Sequence, residues 1–256
     1  MVSDASLNDT GAAALTPVSI GVDVGGTKIL AATVDSHGRI LSRQRIPTPA
    51  RDVQATIDAI VTAIETLVDS HPGPVDSVGI GVAALVDGDR SRVVFAPNLG
   101  WAEVPLAEAV EQQIHRRVVV ENDANAAAWG EFRHGAGRRF DDAVVITVGT
   151  GIGGGLILEG RLRRGAHGMA AEIGHVTLVS DGRVCGCGRR GCWEQYASGS
   201  ALVRIARDFA GDRRGEAHVL LSLGDGSPEG IRGRHVTEAA RHGDPVALAA
   251  FAEVGL

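Results

Sequence analysis

The sequence predicts an α/β protein of two halves, each of which opens on a β-hairpin with a glycine turn. The first half begins with VSIGVDVGGTKILAATV, in which two apolar, β-branched runs flank a glycine pair. The same design returns at DAVVITVGTGIGGGLILEG, with a strand over residues 143–148, a turn over 149–155 and a strand over 156–159. This degenerate internal repeat indicates duplicated α/β domains.

The elements between the hairpins follow from hydrophobic periodicity. Residues 53–70 predict a helix with a single apolar stripe, and SVGIGV and RVVVE predict buried strands. The alanine-rich ANAAAWGEF predicts a second helix that begins at Asn122 or Asp123. The polar residues 211–245, with glycines and short helical pieces, are interpreted as a loop-rich surface excursion.

These patterns divide the chain into three parts. We expect a disordered leader over residues 1–17, a small N-terminal α/β domain over 18–122 and a larger α/β domain over 123–256. The last residues, ALAAFAEVGL, end inside a helical pattern, and we therefore expect the C-terminal part of the larger domain to be missing.

Composition excludes several classes of protein. The 256 residues are 44% hydrophobic, and 31 acidic against 25 basic residues give a net charge of -6, so there is no basic face for nucleic acid or anionic lipid. Neither a signal peptide nor an apolar run near the ~18 residues that cross a bilayer is found. We expect a cytoplasmic protein whose partners are small molecules, without a role for nucleic acid or membrane.

The first glycine turn, DVGGTK, has the composition of a phosphate-binding turn. Glycine lets backbone N–H groups approach an anion closely. Thr27 and Lys28 can bind phosphate oxygens, and Asp23 can hold Mg²⁺ directly or through water. The alternative is an ordinary hairpin turn with a solvated Asp23.

The second glycine turn, GTGIGG, is interpreted as the partner of the first. It matches the dinucleotide fingerprint, but that fingerprint requires a helix directly afterwards, and GLILEGRL is a strand pattern. A Walker A motif is absent from the sequence. Two glycine turns in matching positions suggest that both grip one polyphosphate.

The segment VVVENDANAAAWGE places several polar side chains where a strand meets a helix. Either Asn or Asp is a good helix N-cap, so a structural role is an alternative for any one of them. The carboxyl edge of a strand is also where α/β active sites lie. Asp123 is our candidate for a general base that orients an alcohol during phosphoryl transfer.

All three cysteines of the chain occur within HVTLVSDGRVCGCGRRGCWEQ. Cys185, Cys187 and Cys192, together with His175, form a Cys₃His set, which is typical of closed structural zinc sites. Glycines between the cysteines allow a short loop to wrap around one ion. Four protein ligands leave no open position, so this zinc is predicted to be structural.

Five motifs occur in the order found in one known family. They are Asp23-x-Gly25-Gly26-Thr27-Lys28, Glu121-Asn122-Asp123-Ala124-Asn125, Gly149-Thr150-Gly151-x-Gly153-Gly154-Gly155, Glu172-x-Gly174-His175 with Ile173 at x, and Cys185-x-Cys187-Gly188-x-x-Gly191-Cys192-x-Glu194. In these motifs the sequence resembles ROK-family sugar kinases, most closely the bacterial glucokinases of that family, over about residues 19 to 256. The resemblance implies an actin/Hsp70/hexokinase-like, ribonuclease H-like fold of duplicated domains around a cleft.

The resemblance also implies the reaction and its residues. ATP and D-glucose would give glucose 6-phosphate, with Asp123 as the base on the 6-hydroxyl. Sugar hydroxyls would be bound by Asn98, Asn122, Glu172, His175 and Glu194. Phosphates would be bound by Asp23, Gly25, Gly26, Thr27, Lys28, Thr150, Gly151, Gly153 and Gly154. The implied cofactors are ATP, Mg²⁺ and structural Zn²⁺, and we expect a homo-oligomer, either a dimer or a tetramer.

Several alternatives stay open at this point. Mannose, fructose and N-acetylmannosamine are alternatives to glucose as the sugar, and polyphosphate is an alternative to ATP as the donor. Ala84 stands where the family commonly has a glycine, which affects one expected sugar contact. A non-catalytic sugar-binding module that is held together by zinc is the alternative from another functional class. A sugar-responsive repressor would need a DNA-binding domain before Val18, and residues 1–17 are too short for one.

Overall fold

A computed structural model describes residues 16–49 and 51–255 of the chain. The predicted leader over residues 1–17 therefore lies outside the described residues except for its last two. The strands are β1 (Val18–Val24), β2 (Lys28–Val34), β3 (Ile40–Pro47), β4 (Val75–Val82), β5 (Leu85–Val86), β6 (Val93–Ala96), β7 (Trp101–Val104), β8 (Val118–Asn122), β9 (Ala143–Val148), β10 (Ile152–Leu158) and β11 (Arg161–Arg163). The α-helices are α1 (Val53–Ser70), α2 (Leu106–Ile114), α3 (Asp123–His134), α4 (Glu194–Ala197), α5 (Gly199–Asp212), α6 (His218–Leu223), α7 (Gly233–Arg241) and α8 (Pro245–Val254).

The chain divides into two compact units. The first contains residues up to Ala84 together with Asp89–Glu121, and the second contains Leu85–Gly88 together with residues from Asn122 onward. No helix among the described residues is both long enough and apolar enough to span a membrane.

The first unit is built on a five-stranded sheet in the order β3-β2-β1-β4-β8. The predicted hairpin is confirmed, because β1 pairs with β2 in antiparallel register up to Val24 opposite Ile29. Burial alternates strictly along β1, as expected for a strand with one face against a core. The helix predicted over residues 53–70 is also confirmed, with Asp52 as its N-cap and Ile57, Ile60 and Ile64 buried on one stripe.

The predicted buried strands SVGIGV and RVVVE form β4 and β8. β4 lies parallel to β1 in the sheet. β8 ends at Asn122, and α3 begins at the next residue, Asp123, which confirms the helix start predicted from the sequence. The sheet thus delivers Asp123 at the carboxyl end of a buried strand.

The second unit opens on the sheet β11-β10-β9. The turn predicted over residues 149–155 is wrong in its extent, because β10 already begins at Ile152, and Gly153 and Gly154 pair with Thr147 and Ile146 of β9. Only Gly149, Thr150 and Gly151 connect the two strands. A strand rich in glycine is accommodated here because α3 lies directly against its backbone.

The short helical pieces expected in residues 211–245 are present, but the interpretation of this segment as a surface excursion is wrong. This segment contains α6 and α7, and these helices pack with α5 and α8 around one apolar core. Leu220, Ile231, Val236 and Val246 are completely buried in it. α6 and α7 have only six and nine residues, so each contains too few apolar residues for a helical periodicity to stand out in the sequence.

Candidate functional site

The junction of β8 and α3 presents two polar side chains in sequence. The Asn122 side-chain oxygen accepts a hydrogen bond from the N–H of Asn125 at 2.9 Å, which is the geometry of an N-cap. Asp123 is the first residue of α3, and its Oδ1 accepts a hydrogen bond from the N–H of Ala124 at 2.9 Å. Asp123 is half-buried, so its carboxylate is held at the helix start and remains accessible.

β10 packs against α3 at glycine positions. A Cβ on Gly153 would lie 2.7 Å from Cβ of Ala124, closer than side chains approach. A Cβ on Gly154 would lie 2.6 Å from the carbonyl oxygen of Ala171 on the other face of the strand. Packing against α3 and against residues 171–173 therefore explains both glycines, and neither needs a phosphate to account for it.

A short 3-10 helix, Ile173–His175, brings a carboxylate and an imidazole next to each other. The Nε2 atom of His175 lies 3.9 Å from Oε2 of Glu172, and its Nδ1 atom lies 3.7 Å from Oε1 of Glu194. Burial raises the pKa of Glu172, the His175 imidazole lowers it, and the neighbouring carboxylates of Asp123 and Glu194 raise it further. The carboxylates of Glu172 and Glu194 thus flank one imidazole, and Asp123 is near enough to raise the pKa of Glu172.

The four predicted zinc ligands lie together. Their candidate ligand atoms, from His175, Cys185, Cys187 and Cys192, are all within 4.8 Å of one another. The Sγ atom of Cys185 is 3.5 Å from Nδ1 of His175, and the Sγ atoms of Cys187 and Cys192 are 3.6 Å apart. These separations suit a tetrahedral site with Zn–S bonds of about 2.3 Å. The donor set and its spacing therefore fit zinc.

The thiols of this cluster titrate very differently. Burial raises the pKa of Cys185 to about 12, and its hydrogen bond to Glu194 adds to the effect. Desolvation also acts to raise the pKa of Cys187, but the N–H and side chain of Arg189, together with the other two thiols, outweigh it and lower the pKa to about 7. A bound cation would favour the thiolate form of all three.

The loop that carries the zinc ligands has little apolar packing of its own. It is joined by isolated bridges between Thr177 and Cys192 and between Val184 and Arg190. Val176, Leu178 and Val184 are each about 60% exposed, at 59%, 60% and 61%. A metal ion held by these four ligands would therefore fix this loop and the start of α4, where Glu194 lies.

The glycine turn of the second unit lies beside this cluster. The N–H of Gly149 donates to the carbonyl oxygen of Gly151 at 3.0 Å, which closes the turn. A Cβ on Gly151 would lie 2.7 Å from Oε2 of Glu194, so the turn and this carboxylate are in close contact. The N–H groups of Thr150 and Gly151 make no backbone hydrogen bond within the described part of the chain.

A cavity of about 580 Å³ extends from this turn along α5. One wall is formed by residues of α5, and another by Arg232 and Gly233 at the start of α7. The lining residues are Gly149, Thr150, Gly199, Ser200, Val203, Arg204, Arg207, Asp208, Arg232 and Gly233. Its volume is within the range of small-molecule sites.

Neither wall of this cavity is predicted from the sequence, because no helix is identified over α5 and because Arg232 and Gly233 fall in the segment interpreted as a surface excursion. The spacing of Ser200, Arg204 and Arg207 places them on one face of a helix, and that periodicity is the signal that was available. Arg204 and Arg207 also bind the backbone of neighbouring segments. Arg207 donates two hydrogen bonds to the carbonyl oxygen of Ile231, at 3.1 and 2.7 Å, and Arg204 donates one to that of Gln195 at 2.7 Å.

The remaining predicted residues belong to the first unit, where the turn between β1 and β2 is tight. The N–H of Gly25 donates to the carbonyl oxygen of Lys28 at 3.0 Å. A Cβ on Gly26 would be 3.4 Å from the carbonyl oxygen of Asn98, so Asn98 and the turn are neighbours. Thr27 and Lys28 are exposed. The structure thus gathers Asp23, the turn and Asn98 in this unit.

Asp23 has a perturbed carboxyl group. Desolvation by the surrounding protein raises its pKa, and the nearby Lys28 ammonium acts in the opposite direction. Ala84, the departure noted in the sequence, is buried, and its N–H donates to the carbonyl oxygen of Val82 at 2.8 Å. Its methyl group is therefore accommodated within a tight turn after β4.

Comparison with known proteins gives a consistent result. The chain is 52% identical to the glucokinase of Streptomyces coelicolor over 237 residues, which is 93% of this chain and 74% of that protein. It is 38% identical to the glucokinase of Thermotoga maritima over 231 residues, which is 90% of this chain and 71% of that protein.

A solved structure is similar as well. The ROK family glucokinase from Streptomyces griseus, in complex with glucose and AMPPNP, matches with a TM-score of 0.86 and 54% identity, over 93% of this chain and 75% of the other. The hexokinase-like α/β fold expected from the sequence is therefore confirmed. The family model described as "ROK family" matches residues 19–256, and the chain belongs to the ROK family.

Proposed function

We propose that this protein transfers the γ-phosphoryl group of ATP to the 6-hydroxyl of D-glucose. The observation that carries the proposal is the convergence of Asp123, Glu172, His175 and Glu194 beside a glycine turn that opens into a cavity of about 580 Å³. Glucose and AMPPNP are the molecules bound in the similar Streptomyces griseus glucokinase, which supports this choice of sugar and donor.

Asp123 is the proposed base. Its carboxylate is fixed at the first residue of α3 and half-buried, so it can accept the proton of a sugar hydroxyl while staying accessible. The transition state of phosphoryl transfer is loose, and the base acts mainly by orienting the attacking oxygen. The glycine-lined contact between β10 and α3 keeps this helix start in place.

Glu172, His175 and Glu194 are proposed to bind the other hydroxyls of the sugar, with Asn122 and Asn98 as further donors. Carboxylates accept hydrogen bonds from hydroxyl groups, and an imidazole can donate or accept one. A sugar with one misplaced hydroxyl leaves a buried polar group unpaired, which gives such a site its selectivity. Burial is the main cause of the raised pKa of Glu172, and the nearby carboxylates of Asp123 and Glu194 add to it.

The phosphates of the donor are proposed to contact the N–H groups of Thr150 and Gly151, with the nucleoside in the adjoining cavity. Gly153 and Gly154 lie in β10 beyond the turn, and their proposed role is to support it by packing closely against α3 and residues 171–173. In the first unit, Thr27 and Lys28 with Gly25 and Gly26 are proposed as a second phosphate contact, and Asp23 would hold Mg²⁺, which neutralises phosphate charge. His175, Cys185, Cys187 and Cys192 would hold Zn²⁺, which fixes the loop before Glu194.

A coupled assay for glucose 6-phosphate tests the proposal, with Asp123→Asn as the variant. We expect kcat to fall by a factor of about 10² to 10⁴, while the affinity for glucose stays within about threefold. Asp69→Asn, at an exposed position of α1, is the matched control and keeps full activity. Equal activity of wild type and Asp123→Asn would refute the assignment of the base.

The same assay separates the alternatives. Mannose, fructose and N-acetylmannosamine are compared with glucose, and polyphosphate is compared with ATP. Binding of glucose without turnover of any sugar by the wild type would favour a non-catalytic binding module over a kinase.

A further inference from the structure

We infer that Gly199, the first residue of α5, is a positioning residue for the phosphate-binding turn; the functional meaning of this role rests on the proposed function. The N–H of Gly199 donates to the carbonyl oxygen of Gly149 at 2.8 Å, and the N–H of Ser200 donates to that of Thr150 at 3.2 Å. The start of α5 thus holds two successive carbonyl groups of the turn.

These two hydrogen bonds set the direction of the turn's amide groups. In a trans peptide the C=O and the N–H point in opposite directions. The carbonyl of Gly149 shares its peptide with the N–H of Thr150, and the carbonyl of Thr150 shares its peptide with the N–H of Gly151. Because both carbonyls face α5, both N–H groups face away from it. These are the two donors proposed for phosphate.

Gly199 is required at this position by contact distance. A Cβ there would lie 2.6 Å from the carbonyl oxygen of Gly149, nearer than a carbon atom approaches an oxygen. The obstacle is backbone, so a flexible side chain cannot move aside to relieve it. Any other residue at 199 must therefore displace the turn or lengthen the hydrogen bond.

The next two N–H groups at the start of α5 also have hydrogen-bond acceptors within the protein. Ser198 is buried, and its Oγ accepts a hydrogen bond from the N–H of Ala201 at 3.1 Å. The N–H of Leu202 donates to the carbonyl oxygen of Ser198 at 2.9 Å. The N–H groups of residues 199–202 thus all have protein acceptors, so α5 acts as a clamp on the turn and does not donate to a phosphate through them.

The clamp is also connected to the sugar side of the site. Arg204, one turn further along α5, donates to the carbonyl oxygen of Gln195 in α4, and Glu194 is the neighbouring residue. Glu194 in turn lies against Gly151. The turn therefore lies between α5 and a proposed sugar-binding carboxylate. A change at Gly199 displaces the turn directly and reaches Glu194 only through it. We therefore expect a larger effect on binding of the phosphate donor than on binding of the sugar.

The test compares Gly199→Ala with Gly211→Ala, a glycine of the same helix with no atom within 4 Å of an added Cβ. We expect the Kd for AMP-PNP with Mg²⁺, measured by calorimetry, to rise by about tenfold or more in Gly199→Ala, because small misplacements of donor groups are costly. The Kd for glucose is expected to stay within about twofold of wild type, and Gly211→Ala is expected to match wild type for both ligands.

Ser198→Ala provides a second variant that keeps the space at 199 but removes the cap. We expect it to weaken AMP-PNP binding by about threefold, in the same direction as Gly199→Ala. AMP-PNP affinity equal to wild type in both variants overturns the inference, as does an equal loss of glucose and AMP-PNP binding. A wild-type protein that binds AMP-PNP but forms no glucose 6-phosphate contradicts the proposed function alone, since the effect of Gly199→Ala on AMP-PNP is still measured.

Discussion

The guanidinium of Arg90 forms an ion pair with the buried carboxylate of Glu121, with Nε of the arginine 3.2 Å from Oε2 of the glutamate. Glu121 immediately precedes Asn122 in β8, and the N–H of Val120 donates to the carbonyl oxygen of Arg90 at 2.9 Å. The end of the strand that leads to Asp123 is therefore tied to residue 90 through both backbone and side chain.

Arg90→Met is expected to lower the free energy of unfolding by about 1 to 3 kcal/mol, because it leaves the Glu121 carboxylate buried beside an apolar side chain. Urea unfolding measures this change. The matched control is Arg92→Met, since Arg92 and Glu103 form an exposed pair at 3.9 Å, and such pairs contribute about 0 to 1 kcal/mol. Equal effects of the two substitutions would contradict a special role for the Arg90–Glu121 pair.

Asp23→Asn is expected to stabilise the protein at neutral pH. The pKa of Asp23 is raised by desolvation from 3.8, so the folded protein binds this proton more tightly than the unfolded chain does. The stability linked to the proton is present below pH 3.8 and is lost as the pH rises through the folded-state pKa. Unfolding of wild type and variant measured across pH 3 to 8 checks this; a wild type that is more stable than the variant at pH 7 contradicts it.

Gly154→Ala is expected to destabilise the second unit by about 1 to 3 kcal/mol. Its Cβ would lie 2.6 Å from the carbonyl oxygen of Ala171 and 2.8 Å from the side chain of Ile173, so either β10 or residues 171–173 must move. Gly130→Ala in α3 is the control, because an added Cβ there meets no atom within 4 Å, and it is expected to stabilise the helix by about 0.5 to 1 kcal/mol. Thermal unfolding distinguishes the two, and a neutral Gly154→Ala would disprove the packing argument.

The Cys₃His cluster predicts one bound zinc ion per chain. Elemental analysis of the purified protein measures its content, and removal with a strong chelator is expected to lower the midpoint of thermal unfolding by roughly 5 °C or more, because the loop has little core of its own. Cys187→Ser is expected to reproduce the loss, and re-addition of zinc is expected to rescue the chelated wild type only. Wild-type protein that is free of zinc and melts like Cys187→Ser would rule the site out.

Long periodic segments and specific motifs were predictable from the sequence. The eighteen residues of α1 have enough apolar positions to define one face, and the start of α3 is marked by an Asn-Asp pair that acts as a cap. The zinc ligands could be chosen because three cysteines and a histidine are rare at such spacing. The roles of all the site residues, zinc binding included, and the homo-oligomer stay predictions.

What was missed depends on contacts between segments far apart in the sequence. Nothing local distinguishes Gly151 in the turn from Gly153 in the strand, because the pairing of Gly153 with Thr147 is what makes it a strand residue. Ile231 and Val236 are buried by α5 and α8, and they look like isolated apolar residues within a polar stretch. The clamp at Gly199 likewise involves Gly149, fifty positions earlier in the sequence.

The glycines of β10 have a consequence for attempts to change which sugar is used. The first two turns of α3 rest on bare main chain at Gly153 and Gly155, so these two strand positions offer no side chain for redesign. The position of Asp123 is therefore set by the packing of α3 on the main chain of β10. Substitutions of Glu172 and Glu194, the side chains proposed to bind the sugar, leave these glycine contacts in place and are the better route to altered selectivity.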